Sequence, residues 1–284
     1  MEYLLQTSYR PSYLECSLPN NVLPTHVSIS FQDNTTSTNR LQIIYPGPRI
    51  RNFTVCYSVL HSGFNMTSKL IESIELNRLL GAEHFLVYNY SVSPQVDEIL
   101  SRYQQDGIVT VLAWPLPTKS SWYFAQMTAL NDCFYRNRNI SRFVVVVDTD
   151  EVIVPRNHYN WMDLINSASS KESDISTFSN SSQSSTKGNL TSCFIVRSSY
   201  FSNDKIPDWN ALPSQFPFGD DEKKNIMKYA MLILSQYWRQ EYIFDTRVRS
   251  KYIARPECVY NYSRCLSSSI YMYILRDTSD IISV

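Results

Sequence analysis

The sequence predicts an α/β protein built on a mostly parallel sheet flanked by helices. Between residues 53 and 148, four strand-like segments alternate with three helical ones. Their short, regular connections suit βαβ units. The last of these strands lies in "RFVVVVDTDEVIVP" (Arg142 to Pro155), where four valines run without polar alternation. A central strand covered on both faces reads this way. Asp148, Asp150 and Glu151 then fall at its carboxyl end, and ligands of such sheets bind beyond the carboxyl ends of the strands.

Residues 1–50 carry prolines and the polar run "FQDNTTSTNR", and read as a peripheral N-terminal segment. A regular α/β domain follows over 51–260. "FTVCYSVL" is its first strand. "TSKLIESIELNRLLGA" is a helix with Leu70, Ile74, Leu76 and Leu80 at helical spacing, Thr67 or Ser68 as cap, and Gly81 at its end. "HFLVYNY" is a strand. "SPQVDEILSRYQQDG" is a helix capped by Ser93, with Pro94 in the first position and Gly107 past the last turn. "IVTVLAW" is a strand, "SWYFAQMTALNDCFYRNRN" a helix, and "RFVVVVD" the fourth strand. Beyond Pro155 the pattern loosens. "NWMDLINSA" reads as a helix, and 167–192 as a Ser-rich insertion or loop with a short strand "ISTF" inside it. "SCFIVRS" is a strand and "IPDWNALPSQFPFGDDEKKN" a loop. "IMKYAMLILSQYW" reads equally as helix or strand. A late strand lies in "TRVRSKYIARPECV", and 261–284 form a tail.

Composition narrows the function. The chain has 284 residues and no net charge, with 26 basic and 26 acidic side chains. Nothing in it attracts nucleic acid. There are six glycines, and neither GxGxxG nor GxxxxGK[ST] is present, so glycine-rich phosphate nests of those types are not on offer. A bound diphosphate would need another source of positive charge. No run of about 18 apolar residues occurs, and the N-terminus lacks the basic and apolar regions of a signal peptide. Sequons at Asn34, Asn52, Asn65, Asn89, Asn139, Asn180, Asn189 and Asn261 point to the secretory route. Six cysteines without CxxC spacing allow disulfides or buried thiols. Cys258 and Cys265 are near enough in sequence to bridge.

Asp148 and Asp150, at i and i+2 where the chain leaves a strand, can both reach one ion. Mg²⁺ and Mn²⁺ prefer such oxygen ligands and keep room for substrate phosphates. The ion would then replace the missing glycine nest. An EF-hand is excluded, because loop positions 5 and 6 are Val152 and Ile153. Asp148, Asp150 and Val152 also match the D-x-D-x-V of an aspartyl-phosphate phosphatase, with Asp220 to Glu222 as its later acids. No buried strand precedes those acids. A plain solvated acidic turn is the bland alternative.

The segments "FTVCYSVL", "IESIELNRLLGAEHFLVYNYS", "ILSRYQQDGIVTVLAWPLP", "QMTALNDCFYRNRNISRFVVVVDTDEVIVP" and "RSKYIARPECV", in that order, resemble the family 92 glycosyltransferases of animals and plants. The resemblance covers 52–156 well and 245–260 thinly. It implies a GT-A fold, a Rossmann-like sheet that binds a nucleotide-diphospho-sugar. It implies a UDP-sugar donor (UDP-galactose), a divalent metal (Mn²⁺, or Mg²⁺), and inverting hexosyl transfer to a glycan or glycoprotein acceptor. Asp148 and Asp150 match the metal-binding D-x-D, with Glu151 beside them. Arg249 and Lys251 match a basic patch that would meet the diphosphate; a solvated strand end is the other reading. Gln126, Asn131 and Asp132 match the preceding helix, where they orient it or touch substrate. Trp114 matches "WP" and either packs or flanks a sugar. No residue is singled out as catalytic base, though Asp220, Asp221 and Glu222 are candidates. Family members work in the Golgi lumen on an N-terminal anchor, which this chain does not show, and carry a His-Tyr-Arg element near the C-terminus, which 261–284 lacks. A catalytically impaired, glycan-binding paralogue of the same fold is therefore the alternative.

Overall fold

The computed structural model describes residues 18–19, 21–30, 39–45, 47–117, 121–176, 193–201, 219–229, 231, 233–235, 240, 242–245, 249–258, 269–270 and 273–276. Its elements run in chain order. They are β1 (His26–Val27), β2 (Leu41–Gln42), β3 (Arg51–Tyr57), α1 (Thr67–Leu79), β4 (His84–Asn89), α2 (Pro94–Gln105), β5 (Val109–Ala113), α3 (Gln126–Asn137), β6 (Ser141–Val147), β7 (Glu151–Val154), α4 (Trp161–Ser176), β8 (Cys193–Val196), α5 (Asp220–Lys228), β9 (Lys251–Ala254), β10 (Ser269–Ile270) and β11 (Tyr273–Arg276).

The expected α/β architecture is present. One seven-stranded sheet has the order β10-β8-β9-β6-β3-β4-β5. Strands β6, β3, β4 and β5 are mutually parallel. Strand β9 runs against both β6 and β8, and β10 runs parallel to β8. Strand β6 sits in the middle of the sheet, and Val144 to Val147 are all buried, as their unbroken run required. Its odd-numbered side chains (Phe143, Val145, Val147) join a core with Leu70 and Ile74 of α1 and Trp161 of α4. The even ones (Val144, Val146) join a second core with Ala129, Leu130 and Phe134 of α3. The period-2 geometry of a strand thus divides one apolar run between two helical layers. Outside the large sheet, β1 pairs with β2 and β11 with β7.

Several local expectations are corrected. Helix α1 starts after Met66 with no side-chain cap, so neither Thr67 nor Ser68 caps it. Ser93 does cap α2, accepting from the Val96 amide. The segment before α3 is not regular helix: Tyr123, Phe124 and Ala125 all have positive φ, and α3 begins at Gln126. Helix α4 runs to Ser176, so Ile175 and Ser176 of the expected strand "ISTF" end a helix, and the rest of that strand lies outside the described residues. Asp220, Asp221 and Glu222 open helix α5 rather than lying in a loop. Cys258 is a free, exposed thiol, so it is not bridged to Cys265, which lies outside the described residues. Cys56 of β3 is instead bonded to Cys133 of α3, with Cα atoms 6.2 Å apart. A strand residue and a helix residue facing each other across one core meet the required geometry, which sequence proximity alone does not supply. Of the sequons, Asn65 and Asn139 are exposed and Asn89 ends β4 half-buried. Asn52 donates through its side chain to Glu83.

One buried titratable group gives the fold a pH dependence. His84, at the start of β4, is buried. Its Nδ1 lies 3.1 Å from the Gly107 carbonyl and its Nε2 2.8 Å from the Thr110 hydroxyl. A carbonyl only accepts, so Nδ1 carries the proton. Burial, and then the Arg51 guanidinium, lower its pKa from 6.5 to about 4. The folded protein keeps the ring neutral where an unfolded chain protonates it. This contribution is therefore complete above the unfolded pKa and is lost as pH falls toward the folded one. We expect Tm to fall on acidification from about pH 7 to about pH 5, with a shallower fall in His84→Gln. Equal slopes in the two proteins would remove His84 as the cause.

Candidate active site

The site forms where the parallel strands end. Cys56 and Tyr57 of β3 lie in register with Val146 and Val147 of β6, so Ser58 and Asp148 leave the sheet side by side. Because β9 is antiparallel to β6, with Tyr252 opposite Val146, the first residue of β9, Lys251, starts beside the end of β6. The first turn of α1 arrives at the same edge and contributes Lys69.

Asp148, Asp150 and Glu151 each bring a carboxylate oxygen into a group spanning no more than 4.8 Å. The turn is self-templated: the Asp148 amide donates to Glu151 Oε2 at 2.9 Å, and the Glu151 amide to the Asp148 carbonyl at 3.1 Å. The three acids are not equivalent. The Glu151 side chain is 1% exposed and that of Asp148 25%. Asp150 is buried and faces the buried Lys69, Nζ to Oδ2 3.7 Å. Lys251 Nζ lies 2.8 Å from Asp148 Oδ2 and 2.5 Å from Glu151 Oε2. Ser58 donates to Asp148 Oδ1, and Gln126 Nε2 donates to Ser58 Oγ at 2.6 Å. Asp148 is thus the accessible carboxylate, aimed by a hydroxyl, while Glu151 holds the turn.

The predicted residues separate accordingly. Asp148, Asp150 and Lys251 come together with Glu151. Arg249 donates to the Tyr200 hydroxyl and lies over the Tyr200 and Phe244 rings, 5.5 Å from each centroid. It has a positive φ of 52°. Gln126 reaches the site through Ser58. Asn131 turns its amide back to the Met127 carbonyl at 2.7 Å. Asp132 accepts from Tyr88 at 2.8 Å and from Arg136 at 2.6 Å, tying α3 to the end of β4. Trp114 donates to the Phe124 carbonyl at 3.1 Å and meets Tyr88 edge-on at 5.0 Å. Asp220, Asp221 and Glu222 are exposed on α5. Ser58 and Lys69 were not foreseen. The position of Ser58 just past a parallel strand was a usable signal; Lys69 lies on a helix whose buried positions mix apolar Leu70 and Ile74 with polar Glu72, Ser73 and Asn77, so no local pattern marked it.

The donor set fits a divalent ion. Carboxylate oxygens suit Mg²⁺ and Mn²⁺, and Asp148 and Asp150 are the pair that would hold it. Lys69 and Lys251 already offset part of the negative charge there.

The glycosyltransferase family 92 model matches residues 51–270. The chain belongs to glycosyltransferase family 92. This family 92 chain is 26% identical over 157 residues to beta-1,4-galactosyltransferase galt-1 of Caenorhabditis elegans, covering 50% of the chain and 37% of that protein. It is 31% identical over 114 residues to glycosyltransferase family 92 protein F13G3.3 of the same species, covering 36% of the chain and 22% of that protein. The matched parts therefore span well under half of either relative. Among solved structures it is similar to GalNAc-T7 with UDP, GalNAc and Mn²⁺ (TM-score 0.41, 10% identity, 82% of this chain and 45% of that one). It is also similar to S. aureus TarS (TM-score 0.33, 14% identity, 57% and 23%).

Proposed function

We propose that this family 92 protein is a metal-dependent hexosyltransferase of GT-A type that moves galactose from UDP-galactose to a glycan, with inversion. The observation that carries the reading is the Asp148–Asp150–Glu151 cluster at the carboxyl end of β6. The ion, Mn²⁺ or Mg²⁺, would supply charge stabilisation to the departing diphosphate. The chain's own residues do the rest of the positioning. Ser58, held by Gln126, orients Asp148. Lys69 offsets the charge of buried Asp150. Lys251 and Arg249 are the basic groups of β9 and its approach, the sources of positive charge that a chain short of glycine needs near phosphate. Inversion also requires a base beside the acceptor hydroxyl; we assign none. The Cys56–Cys133 disulfide supports an oxidising compartment, and the reading extends to the Golgi lumen, with a glycoprotein glycan as acceptor.

The test is UDP release from UDP-galactose with Mn²⁺, with and without a glycoprotein glycan acceptor. We expect release that needs both metal and acceptor. Release that survives chelation of all divalent metal would exclude the metal's role, and glycan binding with no turnover under any UDP-sugar would establish the impaired, glycan-binding reading instead. That second reading is favoured by one observation: Lys251 already engages two of the three acids.

A further inference from the structure

Lys251 stands where a metal-binding cluster would not ordinarily place a cation. Its ammonium contacts Asp148 Oδ2, on the accessible acid, and Glu151 Oε2, on the buried one. Lys69 lies against Asp150 from the opposite element. The two lysines differ in consequence. Lys69 is itself buried, and its contact with Asp150 is the longer one, at 3.7 Å. Lys251, at 2.8 Å, occupies an oxygen of Asp148, the most exposed of the three carboxylates. Two cations cannot both stand at van der Waals distance from that oxygen without strong repulsion in a partly desolvated site.

We propose that Lys251 is an exchangeable counter-ion. A divalent ion binds Asp148 by displacing the Lys251 ammonium, and a nucleotide diphosphate favours the exchange by offering the displaced ammonium new oxygens. The inference rests on the metal reading of Asp148 and Asp150. Its consequence is thermodynamic: metal and nucleotide bind as a coupled pair, and by linkage each raises the affinity for the other by the same factor. Metal alone binds weakly, because Asp148 already has a cation. The ammonium stays tethered to the turn through Glu151, so it remains near the phosphates it would meet.

The test uses Mn²⁺ and UDP on the full chain, read by calorimetry and by the loss of the free Mn²⁺ electron-spin signal, so that no turnover is needed. Lys251→Met should bind Mn²⁺ alone on the order of tenfold tighter than the natural protein, since one competing charge near a carboxylate is worth at least that. The enhancement of Mn²⁺ affinity by UDP should shrink in the same variant. Unchanged or weaker Mn²⁺ binding by Lys251→Met, with binding still abolished by Asp150→Asn, would overturn the exchange and leave the metal reading intact. No Mn²⁺ binding by any of the proteins, with or without UDP, would overturn both. Because Lys251→Met leaves Glu151 buried without that partner, folding is guarded by a second pair. Glu151→Gln/Lys251→Met should bind Mn²⁺ more tightly than Glu151→Gln alone, and equal affinities there would also overturn the exchange.

Discussion

Asp150→Ala is expected to lower kcat/KM for UDP release by on the order of 10²–10³-fold, the range seen when one preorganised charge-stabilising group is removed. The acid is buried and set at the end of the central strand. Glu151, the next carboxylate, is committed to the Asp148 amide and to Lys251. Asp150 also faces Lys69, so alanine removes the partner of a buried cation and will cost stability as well. Asp150→Asn separates the two effects. It keeps the size and a hydrogen-bonding oxygen, so its Tm should stay nearer to that of the natural protein while its activity and Mn²⁺ affinity fall with the alanine variant. Activity retained in Asp150→Asn at ordinary Mn²⁺ concentrations would mean that Asp150 is a structural partner of Lys69 and not a metal ligand.

Trp161→Ala should be the most destabilising single truncation in the core, by about 3–5 kcal/mol. The indole is fully buried, meets Phe53 edge-on at 5.5 Å, and donates from Nε1 to the Ile153 carbonyl at 2.8 Å. The Trp161 amide donates to the Leu80 carbonyl at 3.0 Å. One residue thus joins α4, β7, β3 and the end of α1. Truncation empties a large volume and also strips the Ile153 carbonyl of its donor, and the two costs add. For a chain of this size the midpoint should fall by roughly 10 °C. Tyr159→Ala, two residues earlier and 94% exposed, should change stability by no more than about 0.5 kcal/mol. Chemical denaturation of the two variants side by side checks the contrast, and similar midpoints would show that α4 does not close the core.

Much of the frame was legible because strong, local signals govern it. Four valines without alternation need a strand covered on both faces, and Val144 to Val147 received one layer on each side. Ser93 and Pro94 began α2 as their caps predict. The misreadings arose where local rules were overridden. The "SWYFA" stretch has helical composition, yet the Phe124 carbonyl accepts from Trp114 and its ring stacks on His61 at 4.0 Å. Those contacts accompany a left-handed backbone over Tyr123 to Ala125, which no propensity announces. The acids of "GDDE" follow a loop-like, proline-containing stretch, yet acids in a first turn also suit a helix N-terminus, and they open α5.

The sequence alone determined the order of strands and helices from β3 to β6, the central place of β6, the position of Asp148 and Asp150 at its end, and the family. Each follows from near neighbours in the chain or from motifs read in order. Tertiary structure decided which distant groups met those acids. Lys251 reaches Asp148 only because β9 runs antiparallel to β6 in one register. Ser58 reaches it only because β3 and β6 are parallel and level. Lys69 arrives on a helix, and Cys56 finds Cys133 rather than a nearer cysteine. Pairing across a sheet depends on register, and one residue of slip in β9 would turn Lys251 to the other face; that choice is made by the whole core and by no single segment of the chain.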